Sequence, residues 1–156
     1  MKMQFIKSSE KKEIISQLNN QFGITDLPFL LIESGKEKIR GFSGHLSKDE
    51  IIELGKILNI EVIGLYLIKK EENIFRLSLD ATHLLKEQII KNIIEIDDSQ
   101  LKEWIRGQDL DIKTQKGIVI IKHASDFIGC GKSSGDKIFN YIPKERRIKK
   151  QTATDI

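Results

Sequence analysis

The chain has 156 residues, a formal net charge of +3, and 39% hydrophobic against 31% charged residues, a balance that excludes an intrinsically disordered chain. No apolar run approaches the roughly 20 residues that a membrane helix needs, and the short, charged N-terminus is not expected to be a secretory signal. Because Cys130 is the single cysteine, an internal disulfide is excluded and a reducing, cytoplasmic setting is predicted. The length fits one medium domain or two small ones.

The N-terminal half alternates helical with extended patterns. Apolar residues at helical spacing predict a helix over 8–22, with Ser8 or Ser9 as its N-cap and Gly23 at its end. A second helix starts at the capping box Ser47-Lys48-Asp49-Glu50. Apolar runs predict strands over 28–32, 38–43, 62–68 and 74–79, and a short helix or turn over 81–86.

The C-terminal half predicts short strands around one helix. This helix has Asp97, Asp98 or Ser99 as its N-cap, ends at Arg106-Gly107, and carries Trp104 on its core-facing side. Strands are predicted over 92–96, 110–112, 117–122, 126–132 and 138–142. Short strands separated by turn signals are typical of a small barrel.

Positive charge is concentrated near the C-terminus. Residues 113–151 contain ten Lys or Arg and three acidic residues, a net charge of +7, whereas the rest of the chain carries −4. Such a segment attracts a polyanion and releases its counterions on binding. A solvated lysine-rich surface is the alternative interpretation. The densest cluster, residues 143–150, is either a solvated tail or an extended segment that contacts phosphates.

Two glycines interrupt the predicted strand over 126–132. Gly131-Lys132-Ser133 matches the end of a nucleotide-binding phosphate loop, but Asp126 stands where that loop needs its first glycine. A strand rather than a helix is also predicted next, so we reject the phosphate loop. Gly129 and Gly131 then have two compatible interpretations. One is bare backbone beside Lys132 that lies against RNA, and the other is a β-bulge.

Other reactive side chains are predicted to be structural. Cys130 between two glycines is interpreted as a small packed residue rather than as a nucleophile, since a catalytic thiolate needs a base or cation beside it. The three histidines show no ligand spacing, so no metal site is predicted. Asp97-Asp98 is interpreted as a helix cap rather than as a metal-binding or acid pair.

Residues 93–147 resemble a PUA domain. The residues that carry the resemblance are Trp104-Ile105-Arg106-Gly107, Gly117–Ile121 and Asp126–Lys132. From Gly131 to Arg147 the chain resembles the PUA-type tail of the Nop/Sun class of RNA cytosine-5 methyltransferases and its stand-alone archaeal relatives. The N-terminal half resembles the α/β pre-PUA domain of a small ribosome-biogenesis factor that acts in large-subunit rRNA processing.

The resemblance implies an α+β fold, with an α/β pre-PUA domain over residues 1–88 and a small mixed β pseudobarrel, the PUA domain, over 89–156. In PUA domains the RNA-contacting surface combines a helix end, its glycine, a glycine-containing strand and nearby basic residues. Carried over to this chain, those residues are Arg106, Gly107, Gly129, Gly131, Lys132, Arg146 and Arg147. The basic cluster adds Lys144 and Lys149.

We therefore predict a non-catalytic protein that binds rRNA or tRNA and acts in rRNA processing, ribosome biogenesis or RNA modification. It is expected to need no cofactor and no membrane, and to have pre-ribosomal proteins or an RNA-modifying enzyme as partners. The sequence has no glycine-rich cofactor loop after a strand and no paired cysteines, unlike a Nop/Sun catalytic domain. One alternative is an accessory subunit that delivers RNA to a separate methyltransferase or pseudouridine synthase, and another is catalysis by Cys130.

Overall fold

The structure is a computed structural model that describes residues 3–149. The charge of Lys150 and the fraying expected of residues 151–156 lie outside the described residues. Two sheets make up the fold, one in each half of the chain. The mixed α+β class expected from the sequence is confirmed.

The first sheet is antiparallel and has the strand order β1-β2-β3-β4-β5. Its strands are β1 (Gln4–Phe5), β2 (Leu30–Ser34), β3 (Lys38–Phe42), β4 (Leu65–Glu71) and β5 (Ile74–Leu77). Helix α1 (Ser8–Phe22) buries Ile14, Leu18 and Phe22 in the core that it shares with this sheet. Apolar residues at this helical spacing lie on one side of a helix, which is why α1 packs with that side inward.

Two further helices follow in the N-terminal half. Helix α2 (Lys48–Ile57) connects β3 to β4 and begins at Ser47, whose hydroxyl accepts a hydrogen bond from the Glu50 backbone N–H. Helix α3 (Leu79–Leu84) follows β5 and begins at Ser78 in the same way. Both caps satisfy backbone donors that the first helical turn leaves unpaired.

The second sheet has the order β6-β7-β8-β9 and contains one parallel pair, β6 with β7. Its strands are β6 (Ile93–Glu95), β7 (Gly117–His123), β8 (Asp126–Ser133) and β9 (Ile138–Asn140). Helix α4 (Asp98–Ile105) connects the parallel strands, and Asp97 and Gln100 form a complete capping box at its start. A short 3-10 turn over Lys144–Arg146 follows β9.

Strand β7 is buried on both sides, which explains its uninterrupted apolar run. Ile118 and Ile120 belong to a core that also contains residues of α1 and of the first sheet. Val119 and Ile121 belong to a second core around Trp104, whose side chain is fully buried and donates from its indole N–H to the Ile128 carbonyl at 2.7 Å. The core of the first sheet therefore extends into the C-terminal half through one side of β7, and the second core lies on the other side of that strand.

Several element boundaries differ from the sequence predictions. The strands predicted over 28–32 and 62–68 lie two to three residues later, as β2 and β4. Leu110 makes a single bridge to Ile138 in place of a strand. Lys7, not Ser8 or Ser9, is the N-cap of α1, and no side chain caps it. Among the described residues, no helix has the length and apolar character needed to cross a membrane.

Candidate functional site

The C-terminal end of α4 is fixed by one side chain from β9. The Asn140 amide donates to the Trp104 carbonyl at 2.7 Å and to the Gln108 carbonyl at 3.0 Å. Its oxygen accepts a hydrogen bond from the Ile142 backbone N–H at 2.8 Å. Because the last carbonyls of a helix have no partners within the helix, this amide holds the helix end and the following chain in one position.

The chain after the 3-10 turn crosses this helix end. The Ile148 N–H donates to the Ile105 carbonyl at 2.8 Å, and the Arg147 Nε–H donates to the Ile142 carbonyl at 2.9 Å. Gly107 has a φ of +90°, and a Cβ there would overlap the Arg147 side chain. The position thus favours glycine for its backbone conformation and for the arginine that lies across it.

Four cations meet at this crossing and line one depression of about 460 Å³, which we call the basic depression. Its lining residues are Arg106, Gln108, Lys144, Arg147, Ile148 and Lys149. Among these lining residues of the described chain, none is acidic. The C-terminal end of α4 carries a partial negative charge that favours nearby cations. Ile148, which is 57% exposed, adds an apolar contact surface.

The structure thus brings together five of the nine predicted site residues, which are Arg106, Gly107, Lys144, Arg147 and Lys149. The other four predicted residues, Gly129, Gly131, Lys132 and Arg146, lie outside the basic depression. Lys132 lies in another depression beside Glu37, Glu71 and Glu72, where acidic neighbours oppose phosphate binding.

Other cations of the basic segment are held in ion pairs away from the basic depression. The Arg146 Nη1 atom is 3.3 Å from an Asp80 carboxylate oxygen. Lys122 and Lys137 each lie 3.9 Å from a carboxylate, the first on Glu95 and the second on Asp111. Sequence position alone does not separate these paired cations from the four in the depression.

Gly129 and Gly131 do not expose a bare backbone, which corrects the expectation drawn from the sequence. Both are buried. A Cβ on Gly131 would lie 2.6 Å from the Phe139 carbonyl oxygen and 2.8 Å from the Trp104 ring, while one on Gly129 would meet Leu79 at 3.3 Å. Other elements cover this stretch, so we leave both glycines out of the proposed contact surface.

The other interpretation of these glycines, a β-bulge, is confirmed for Gly129 but not for Gly131, which pairs in regular register with Val119. The register of β7 with β8 shifts between Ile120 and Lys122, which pair with Cys130 and Phe127. Between these two pairs, Ile128 and Gly129 of β8 therefore oppose the single residue Ile121 of β7, and Gly129 has a φ of +78°. A left-handed residue in a bulge is most easily a glycine, so this glycine bends the strand.

Cys130 is a packed residue, as predicted. Its thiol is buried and donates to the Leu77 carbonyl at 2.9 Å. Burial in this apolar site raises the pKa of Cys130 to about 12, with Arg76 opposing the shift. A thiol with this pKa is protonated at neutral pH, so it is no nucleophile. In the described part of the chain, no three His, Cys, Asp or Glu side chains are grouped to hold a metal ion.

Sequence reasoning missed three contributors to the site. Gln108 and Ile148 line the basic depression, and Asn140 fixes the helix end beneath it. Ile148 could have been found, because it is flanked by Arg147 and Lys149 in the densest basic cluster. Asn140 carries no signal in the sequence, since its role depends on the distance between β9 and α4.

Comparison with known proteins agrees with the resemblance found in the sequence. The family model described as the methyltransferase RsmF PUA domain matches residues 91–148. Ribosomal RNA small subunit methyltransferase F of Vibrio cholerae is 28% identical over 148 residues, covering 92% of this chain and 30% of that protein. Its counterparts in Vibrio campbellii and Psychromonas ingrahamii are 29% and 27% identical over 153 residues, covering 92% of this chain and 31% of each.

The chain spans about 30% of the length of the curated relatives it matches. The similarity extends beyond the family match into the N-terminal half, since it covers 92% of the chain. The matched segment contains β6 to β9, α4 and every residue of the basic depression except Lys149. Residues 91–148 are therefore a PUA domain related to the PUA tail of the Nop/Sun-type RNA cytosine-5 methyltransferases.

Proposed function

We propose that this chain binds ribosomal RNA through the basic depression and acts, without catalysis of its own, in rRNA modification or processing. The observation that carries the proposal is the meeting of Arg106, Lys144, Arg147 and Lys149 around one helix end with no acid among the lining residues. PUA relatives named for small-subunit rRNA methylation support RNA as the polyanion.

Binding of this kind is mainly to the phosphate backbone. Arg and Lys side chains contact phosphates without reading sequence, and structured RNA is recognised largely through its shape. Arg147 is held by its bond to the Ile142 carbonyl, so it presents its charge at low entropic cost, whereas Lys144 and Lys149 are exposed and adaptable. The depression therefore combines a fixed cation with mobile ones.

The first prediction is that Lys144→Gln/Lys149→Gln lowers RNA affinity and flattens its salt dependence. If each lysine contacts one phosphate, the slope of log Kd against log salt falls by about one for each lysine removed. Fluorescence anisotropy with labelled fragments of small-subunit rRNA, over a series of salt concentrations, measures both quantities.

A matched control separates this effect from net charge. Lys12→Gln/Lys36→Gln removes the same charge from exposed positions on α1 and the β2–β3 turn, and should leave the slope unchanged. Equal slopes for the two double variants would contradict the proposal. The same titration with tRNA decides between the two RNA classes, and we expect the rRNA fragments to bind more tightly.

A second candidate function, delivery of RNA to a separate RNA methyltransferase, is favoured by an apolar surface around α2. Ile51 is the one buried residue of this helix. Ile57 is 81% exposed, and Leu58 and Val62 are each more than half exposed. A run of exposed apolar side chains marks an interaction site. About 70% of the length of the relatives, which are named as rRNA methyltransferases, lies outside the match. We therefore assign the catalytic domain of a separate RNA methyltransferase as the partner of this surface.

Affinity purification of the tagged chain tests this second function. We expect a methyltransferase to co-purify and its rRNA methylation rate to rise when the chain is added back. Ile57→Asp should abolish both effects while RNA affinity is retained. Recovery of the same enzyme with Ile57→Asp, or unchanged methylation, would refute delivery through this surface.

A further inference from the structure

A second cavity lies between the two halves of the chain, and the proposed function does not use it. Its volume is about 340 Å³. Strand β4 contributes Tyr66, β5 contributes Arg76, and the start of α3 contributes Asp80. The C-terminal half contributes Tyr141, Pro143, Glu145 and Arg146. We call this cavity the junction pocket.

Flat side chains dominate the junction pocket. The Arg76 guanidinium carbon lies 4.3 Å from the centre of the Tyr141 ring, and its Nη1 atom lies 3.1 Å from a Glu71 carboxylate oxygen. The ion pair with Glu71 therefore helps to hold the Arg76 guanidinium against the Tyr141 ring. Burial raises the pKa of Tyr66, with Arg76 opposing the shift, so that hydroxyl stays neutral at physiological pH.

The charges of the pocket exclude a bare phosphate as its ligand. Asp80 and Glu145 line it together with the two arginines, and the Arg146 guanidinium is already paired with Asp80 at 3.3 Å. A nucleobase fits this chemistry better, because it offers an aromatic face to stack and donors and acceptors on its edge. Unstacked RNA bases are bound in this way, on aromatic rings and arginine planes.

The junction pocket and the basic depression are neighbours on the chain. The 3-10 turn over Lys144–Arg146 contributes residues to both of them. Lys144 and Arg147 line the basic depression, whereas Glu145 and Arg146 line the junction pocket. An RNA strand whose phosphates lie in the depression therefore passes beside the pocket.

We propose that the junction pocket accepts one unstacked base of an RNA strand whose neighbouring phosphates occupy the basic depression. The inference rests on the proposed RNA-binding function. It goes beyond that function by assigning a base-binding site and a requirement for an unpaired nucleotide. Because a base stacked on an aromatic side chain contributes to affinity, loss of the base should weaken binding about ten-fold, or about 1.4 kcal/mol.

The test uses a synthetic RNA hairpin with a single-stranded loop and versions in which each loop base in turn is replaced by an abasic site. With the unaltered protein, one abasic position should weaken binding about ten-fold while the salt slope stays the same. Tyr141→Ala should bind the intact hairpin as weakly as that abasic form, with no further loss when both changes are combined. Tyr141→Phe, which keeps the ring, should bind normally.

The outcomes separate this inference from the function beneath it. Equal binding of all abasic hairpins, or an abasic loss that persists in full in Tyr141→Ala, overturns the junction pocket while RNA binding stands. Binding that shows no salt dependence and no effect of Lys144→Gln/Lys149→Gln overturns both. Because the abasic series is measured on the unaltered protein, a folding defect of Tyr141→Ala cannot produce its result.

Discussion

Gly131 lies where β8, β9 and α4 meet, and no side chain fits there. An added Cβ would approach the Phe139 carbonyl oxygen, the Ile138 methyl and the Trp104 ring within 2.8 Å. One of these atoms belongs to the backbone and the others are fully buried, so none moves easily. The glycine is a packing requirement of the second core.

Gly131→Ala should therefore lower the free energy of unfolding by about 2 kcal/mol, since overpacking a core strains its neighbours. Denaturant titration followed by circular dichroism measures the change. Gly55→Ala is the opposite control: its nearest neighbour is Ile60 at 3.7 Å, and it lies on an exposed part of α2. That variant should gain about 0.5–1 kcal/mol, because alanine favours a helix over glycine. No loss with Gly131→Ala would show that the core can open around it.

Single residues also show what the sequence could not provide. The glycines at 129 and 131 indicate a strand without side chains, which suits both an exposed contact surface and a covered one. The structure shows that this strand is covered, because Trp104, Leu79 and β9 pack against the two glycines. Cys130 was predicted correctly because a lone cysteine between glycines fits a packed site whatever surrounds it.

At the scale of elements, local signals predicted most of the secondary structure. Helix α1 matches its predicted range, and Asp97 caps α4 as its sequence indicates. Strands β2 and β4 begin later than predicted. Gly64, at a φ of +77°, lies against the Gly41 backbone just before β4 begins. The first residue of β4 therefore depends on its pairing with β3, which the sequence alone does not show. Leu110 has a strand-like pattern but pairs with one residue alone, Ile138.

The residues of the candidate site were also predicted only in part. Arg106, Lys144, Arg147 and Lys149 were predicted from charge and resemblance, and they meet in one depression. Arg146 has the same charge but pairs with Asp80, and Lys132 lines a depression with three glutamates of the N-terminal half. The charge pattern of the sequence does not show which cations lie beside acidic residues from a distant segment. The sequence therefore predicted the residue types of the site better than it predicted which individual cations belong to it.

At the scale of the whole molecule, the two halves are joined rather than merely adjacent. Ile118 and Ile120 of β7 pack into the core of the first sheet. The Cys130 thiol of the C-terminal half donates a hydrogen bond to the Leu77 carbonyl of the N-terminal half. The core of the first sheet thus extends past the boundary placed between residues 88 and 89, into β7 and β8. Arg146 and Asp80 form a further link over the junction pocket.

The central claim of this account is that the end of α4 and the segment after β9 together contact RNA. Nuclear magnetic resonance titration of the isotope-labelled chain with a fragment of small-subunit rRNA tests it most directly. We predict that backbone amide shifts change over residues 105–108 and 144–149, with smaller changes around Tyr66 and Arg76. Changes confined to the first sheet and α1, with the amide shifts of residues 105–108 and 144–149 unchanged at saturation, would contradict it.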